Sequence, residues 1–317
     1  MASELRRAFV RLVANYGRMF ANILLGLWML RLLLQGLHQE GFGLVGLLGS
    51  TVGITKLVQQ TVSQSLVREL GTAYHEQDPH VFRGTYHSAL LLSAFATVAV
   101  LFVFGVVIIA ILPVLEMSDA MRPSARWFLI AMACQSLLGV MLAPIRNMYL
   151  IKEQMVAVNV LGILRTARRT ASAFAVAMVE PDPVLALIMF GVLSSGLSIV
   201  VQLTAAAIVV VRDRRLIPSL SCASFAGVRS ILRLGGWNMI MLVAMDLHVH
   251  VGAFIMNLAF GAAFGNTIWH LATRLTGYVR RVAEAAQRGT DAVAVRVDVK
   301  GGADAVRQLL HHTTRFN

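Results

Sequence analysis

Eight separated apolar runs, each about 20 residues long, constrain this chain more than any other feature. At about 1.5 Å of helical rise per residue, a run of that length crosses the hydrocarbon core of a bilayer. The runs are Asn15–Leu34, Phe42–Val62, Tyr86–Leu112, Trp127–Leu150, Met155–Val179, Val184–Val211, Trp237–Leu258 and Asn266–Ala286. Helix-breaking residues separate several of them: Gln35 to Gly41, the acidic Glu116-Met117-Ser118-Asp119 with Pro123, the tight Glu180-Pro181-Asp182-Pro183, and Gly261 to Gly265. Trp127 and Trp237 open spans, where interfacial aromatic side chains belong. The pattern predicts an all-α polytopic membrane bundle.

Composition removes the competing classes. The chain has 317 residues, 57% hydrophobic and 14% charged, whereas soluble proteins carry about 25% charged residues. That apolar content excludes intrinsic disorder. A net charge of +12 would suit a nucleic-acid module, but the arginines punctuate apolar runs, so no nucleic-acid partner is expected. Cys134 and Cys222 offer neither a disulfide framework nor a metal spacing. With no Walker-type glycine loop, no paired carboxylates and no His/Asp cluster, the chain does not read as an enzyme, and no motif asks for a cofactor or metal.

Lys and Arg collect in cytoplasmic loops. With the N-terminus inside, the inside segments hold Arg6, Arg7, Arg11, Arg68, Arg83, Arg146, Lys152, the Arg212 to Arg233 group and Arg280, Arg281 and Arg288, against Arg122 and Arg126 outside. The N-terminus is therefore expected in the cytoplasm. The first run lacks a small-residue cleavage site and is too long for a signal peptide, so it reads as a retained helix.

The chain also echoes itself. An ungapped offset of 222 residues lays Leu32–Gly43 (LLLQGLHQEGFG) over Phe254–Gly265 (FIMNLAFGAAFG), with Phe42-Gly43 on Phe264-Gly265. The same offset pairs span one with span seven and span two with span eight, which implies a repeat of six spans in one orientation.

The Gly36-Leu37-His38-Gln39-Glu40-Gly41-Phe42-Gly43 loop, Arg68 after the second span, and the stretch with Phe264-Gly265, Trp269, Ala272 and Arg274-Leu275 resemble the polysaccharide (O-antigen or lipid-linked oligosaccharide) flippases of the multidrug/oligosaccharidyl-lipid/polysaccharide exporter superfamily. The sequence departs from that family's Arg-x-Leu-Gly-Pro-Glu loop at Gln35 for Arg, His38 for Gly and Gln39 for Pro, with Arg31 one turn earlier as a candidate substitute. The resemblance implies two lobes of six helices, a central cavity and alternating access in the cytoplasmic membrane. It also implies a lipid-linked oligosaccharide as substrate, with membrane lipids and glycan polymerase or ligase proteins as partners. On that template residues 1–222 form the N-terminal lobe, 223–290 supply the first two helices of a second, and 291–317 form an amphipathic cytoplasmic tail. Two repeats need about 444 residues, so the chain reads as a C-terminally truncated copy.

Charged residues at bilayer depth cost about 2.5–3.5 kcal/mol each and so point to function. Arg168 lies eleven residues before Val179, about 16 Å from the outer end. Arg165, Arg168 and Arg169 are related by helical spacings and form one stripe. It either lines a cytoplasm-facing cavity, snorkels to the interface, or forms a structural ion pair; interfacial placement would leave only Thr170 to Val179 to cross, which is too short. Lys56, Arg31, Arg18 and, from the other lobe, Arg274 are further candidates for an anion-binding lining, although Arg18 and Arg31 suit interfacial anchoring as well. Asp246 is the one carboxylate at clear depth, either a structural partner for a nearby cation or a coupling-ion site. His248 and His250 diverge on a helix and make poor metal geometry.

Arginine's planar fork matches phosphate oxygens, and an excess of buried cations over carboxylates attracts anions. The expected substrate is thus a lipid-linked pyrophosphate, held by the arginine stripe. A drug or small-molecule exporter of the same superfamily would want acidic cavity residues, and a non-transporting membrane scaffold in glycan synthesis would tolerate neutralisation of every charged cavity position while keeping its partners. Ser194-Ser195-Gly196 reads as close helix packing, Pro144 as a kink, and the basic Arg212 to Arg233 connection as a lipid-surface segment.

Overall fold

The computed structural model describes residues 2–75, 78–152, 154–179, 182–217 and 224–279. The side chains of Arg18, Lys56, Arg68, Asp246 and His248, and the expected tail, lie outside the described residues. Every regular element among the described residues is helical. They are α1 (Ala2–His75), broken at His38; α2 (Pro79–Val106); α3 (Met121–Met141); α4 (Ala143–Ile151); α5 (Met155–Val179); α6 (Pro183–Arg212); α7 (Phe225–Phe260); and, after a π-helical turn at Gly261–Asn266, α8 (267–279). Among the described residues, five stretches are long and apolar enough to cross a membrane: Met19–Ser50, Pro79–Val114, Met121–Met141, Pro183–Arg212 and Val249–Val279. The chain is an all-α, multi-pass membrane bundle.

The chain divides into two compact units, one of Leu25–Leu271 and the other of Met1–Leu24 with Ala272–Asn317. Arg18 and Arg274 belong to the smaller unit. The architecture described below is that of Leu25–Leu271.

Local chemistry explains where its helices begin and bend. Two apolar helices start on the same Asp-Pro pair. Asp78 accepts from the amides of His80 (2.8 Å) and Val81 (3.4 Å), and Asp182 accepts from that of Val184 (3.3 Å), with the following proline in the first turn, where it sacrifices no helical bond. Ser224 caps α7 through the Gly227 amide. Pro113 can donate nothing to the turn before it, and there α2 widens into a π turn at Val107–Ile111 before closing in a 3-10 turn at Leu112–Val114. Pro144 acts likewise. The expected fourth span is broken at Leu142 (φ −88, ψ 3) into α3 and the nine-residue α4.

The packing suits a lipid solvent. Large apolar side chains face outward, among them Phe102, Ile109, Val192 and Val211, while α3 and α6 meet through the stacked Phe128 and Phe190 and many small residues. Ser124, Ala125, Ala133, Ser136 and Gly139 line the buried side of α3; Gly191, Ser194, Ser195 and Ser198 line that of α6. Small residues let helix backbones approach where lipid removes any hydrophobic drive to associate. The glycine that permits this approach is Gly191, whose Cβ would meet Phe128 at 2.8 Å. Gly196, in the Ser-Ser-Gly trio, faces open space.

Candidate functional site

The repeat found in the sequence has a backbone counterpart. The first helical hairpin turns at His38 (φ 53, ψ −172) and the later one at Gly261 (φ 71, ψ 175). This is the same unusual conformation, one residue beyond the 222-residue register. It belongs to a region of backbone space that is essentially reserved for glycine. His38 stands where the resembled loop has Gly.

The two turns meet. Thr267 Oγ1 donates to the Gln39 carbonyl at 2.8 Å, and Gly43 lies so close to the Ala262 carbonyl that a Cβ there would collide with it. The α2–α3 connection joins them: the Glu116 amide donates to Asn257 Oδ1 (3.0 Å), Asn257 Nδ2 donates to the Glu116 carbonyl (3.1 Å), and the Ser118 amide donates to Glu40 Oε1 (2.7 Å). Arg122 donates to Asp119 (3.1 Å) and to the Pro113 carbonyl (2.9 Å). An open cleft of about 620 Å³ remains among these segments, lined by Glu40, Glu116, Arg122 and the 260–264 turn. Main-chain and amide groups thus close this end of the bundle largely on one another.

The middle of the bundle differs. On α5, Arg165 is exposed and Arg168 and Arg169 are half-buried. Arg168 Nη1 donates to the Ser194 carbonyl, twelve helical residues from the capping Asp182, which is about 18 Å along α6 and near the middle of a bilayer. The Arg165 charge acts on both Arg168 and Arg146. Neighbouring hydroxyls turn to local carbonyls: Ser172 donates to Arg168 (2.9 Å), and Thr170 to Thr166 (3.2 Å) and Leu25 (3.4 Å).

Arg146 is the member that the sequence reading missed, having assigned it to a cytoplasmic loop. Beyond the break at Leu142, α4 packs against α2, α5 and α6. Arg146 Nη2 donates to the Gly139 carbonyl (2.9 Å) and Nη1 to Gln202 Oε1 (3.2 Å). Gly139 lies in the last turn of α3, where carbonyls lack helical donors and the helix end is partly negative; Gln59 also donates to it, at 3.1 Å. The signal that could have found this layer is Gln202, a lone amide inside the otherwise apolar run Val184–Val211.

Arg31 is exposed near the first turn, and Arg274 is half-buried in the smaller unit. The side chains of Lys56, Arg18 and Asp246 are outside the described residues. His250 on α7 packs against Gly53, and no cluster among the described residues could hold a metal ion. Lys152, at the end of α4, pairs with Asp213 after α6 at 2.7 Å. Burial acts to raise the Asp213 carboxyl, but the hydrogen bonds from Lys152 and the Arg215 amide, with the charges of both residues, outweigh it and hold the group below its usual range.

No protein-family model matches the chain, and no curated protein matches it. Solved structures do. One is the inward-facing conformation of a multidrug resistance MATE family transporter of the MOP superfamily, with a TM-score of 0.70 at 13% identity over 95% of this chain and 68% of that one. A second, described as protein A, gives 0.66 at 12% identity over 89% of this chain and 63% of that one. At such identities the likeness establishes the fold: the chain is built like about two thirds of a MATE family transporter.

Proposed function

We propose that the chain is a membrane transporter component of the MOP superfamily that carries an anionic lipid-linked oligosaccharide across the cytoplasmic membrane by alternating access. The observation that carries this reading is the pair of the exposed Arg165 and the half-buried Arg168 on α5, which no carboxylate partners among the described residues. Two such cations left in lipid would cost about 5–7 kcal/mol, and a phosphate or pyrophosphate is the ligand whose oxygens match guanidinium forks. The pyrophosphate would sit at the stripe, the glycan in the cavity and the polyprenyl tail in lipid. The hydrogen-bonded turn end fits a state closed on that side, outer in the expected orientation. The division into a lobe of residues 1–222 and a hairpin of 223–290 belongs to this reading. Replacing Arg165, Arg168 and Arg169 together with Gln should abolish complementation of a flippase-deficient strain while membrane insertion persists; unchanged export would overturn the assignment.

Export of a drug or another small molecule is the second reading, favoured by the multidrug MATE transporter that shares the fold. It requires a carboxylate at depth, for which Asp246 is the candidate. Under that reading Asp246→Asn abolishes export and the arginine substitutions do not.

A further inference from the structure

We propose that Arg146 is a positioning charge for a phosphate-bearing ligand held at Arg165 and Arg168, kept uncompensated by neutral amides where a carboxylate would fit. This rests on the reading that the α5 stripe takes an anion. Among the described residues Arg146 hydrogen bonds only to neutral oxygens, Gln202 Oε1 and the Gly139 carbonyl, and its buried Nε has no partner. An arginine cannot shed its proton to escape such a place. Both amides of the layer are fixed: Gln202 Nε2 donates to Ser198 Oγ at 3.0 Å, which turns Oε1 toward Arg146, and Gln59 Nε2 donates to Gly139.

A glutamate at position 202 would neutralise Arg146 with almost no change of shape. The glutamine leaves Arg165 facing two like charges, Arg146 on α4 and Arg168 on its own helix. In a medium of low dielectric such repulsion is strong, and an oxyanion seated at the exposed Arg165 relieves it for all three. Arg146 then acts from behind, through its field, and two or more negative charges on the ligand gain more from it than one. The ligand chemistry is that of a phosphate or pyrophosphate group, supplied by a lipid-linked pyrophosphate or by an anionic phospholipid headgroup.

The test titrates inorganic pyrophosphate into the full chain in neutral detergent and follows the thermal unfolding midpoint, since a ligand that binds the native state raises it. Wild type should be stabilised by pyrophosphate. Gln202→Glu should unfold at a higher temperature than wild type without ligand, yet bind pyrophosphate about tenfold more weakly; Arg146→Gln should weaken binding similarly, and Arg165→Gln with Arg168→Gln should remove it. A Gln202→Glu protein that gains stability and binds pyrophosphate like wild type would show a purely structural Arg146 and overturn the inference, while leaving the stripe intact as an anion site. Wild type indifferent to pyrophosphate would sink the stripe reading and this inference together. Repeating the titration in phosphatidylcholine nanodiscs with and without phosphatidylglycerol separates the sources. Competition by phosphatidylglycerol supports the phosphate chemistry and assigns it to a headgroup, and pyrophosphate binding in its presence assigns it to a pyrophosphate ligand.

Discussion

The turn end of the bundle and its arginine layer solve opposite problems with similar polar groups. At the turn end, donors find acceptors of matching charge: Asn257 completes the amide and carbonyl of Glu116, Glu40 takes the Ser118 amide, and Arg122 has Asp119. In the arginine layer, Arg146 and Arg168 reach only carbonyls and a glutamine. The turn end satisfies its polar groups among its own residues, charged Glu40 and Asp119 included, with bonds of modest net strength, whereas the guanidiniums of the arginine layer meet no carboxylate among the described residues.

The largest effect on that contrast should come from Asn257→Leu. It removes the partner of both the amide and the carbonyl of Glu116, part-buried bonds of about 0.5–1.5 kcal/mol each. Hydrogen exchange at the Glu116 amide should accelerate and the unfolding midpoint should fall; unchanged exchange would mean that the seam is held elsewhere. A smaller effect of opposite sign is expected from His38→Gly. Backbone strain of about 1–3 kcal/mol is relieved and part is returned as added chain entropy, leaving a gain of about 1 kcal/mol in thermal stability. Loss of stability would show that the imidazole contributes more than the strained turn costs.

The smallest effect concerns the Lys152–Asp213 pair. The Asp213 carboxyl is held below its usual range in the folded chain, so its contribution is complete above the unfolded value of about 3.9 and is lost as pH falls through the lower, folded value. Comparing wild type with Lys152→Met between neutral pH and the acid range should reveal a difference below about 1 kcal/mol that vanishes at the acid end. A difference that grows toward acid would contradict the assignment.

Much of this was legible in the sequence because local chemistry decided it. Pro183 after Asp182, the break between Gln35 and Gly41, and the kink at Pro144 act over a few residues and appear where the residues place them. Arg146 was not legible. Near the end of an apolar run it reads as a cytoplasmic loop residue, and only the packing of α4 beyond the break at Leu142 buries it beside Gln202. Nor does sequence spacing distinguish Gly191, pressed on Phe128, from Gly196, facing open space. The pairing of Glu116 with Asn257 joins residues that no local pattern connects. The internal echo was visible, but its exact register awaited the shared conformation of His38 and Gly261.

The most direct test of the central claim, that the α5 arginines form an anion site, is binding of a short-chain polyprenyl pyrophosphate by native mass spectrometry. Wild type should be compared with the Arg165→Gln, Arg168→Gln double variant, and a lipophilic cation should serve as the competing ligand. The account predicts that the pyrophosphate lipid binds wild type and is lost from the double variant, while the cation binds neither. Cation binding to both proteins, with the pyrophosphate lipid bound equally or not at all, would contradict it.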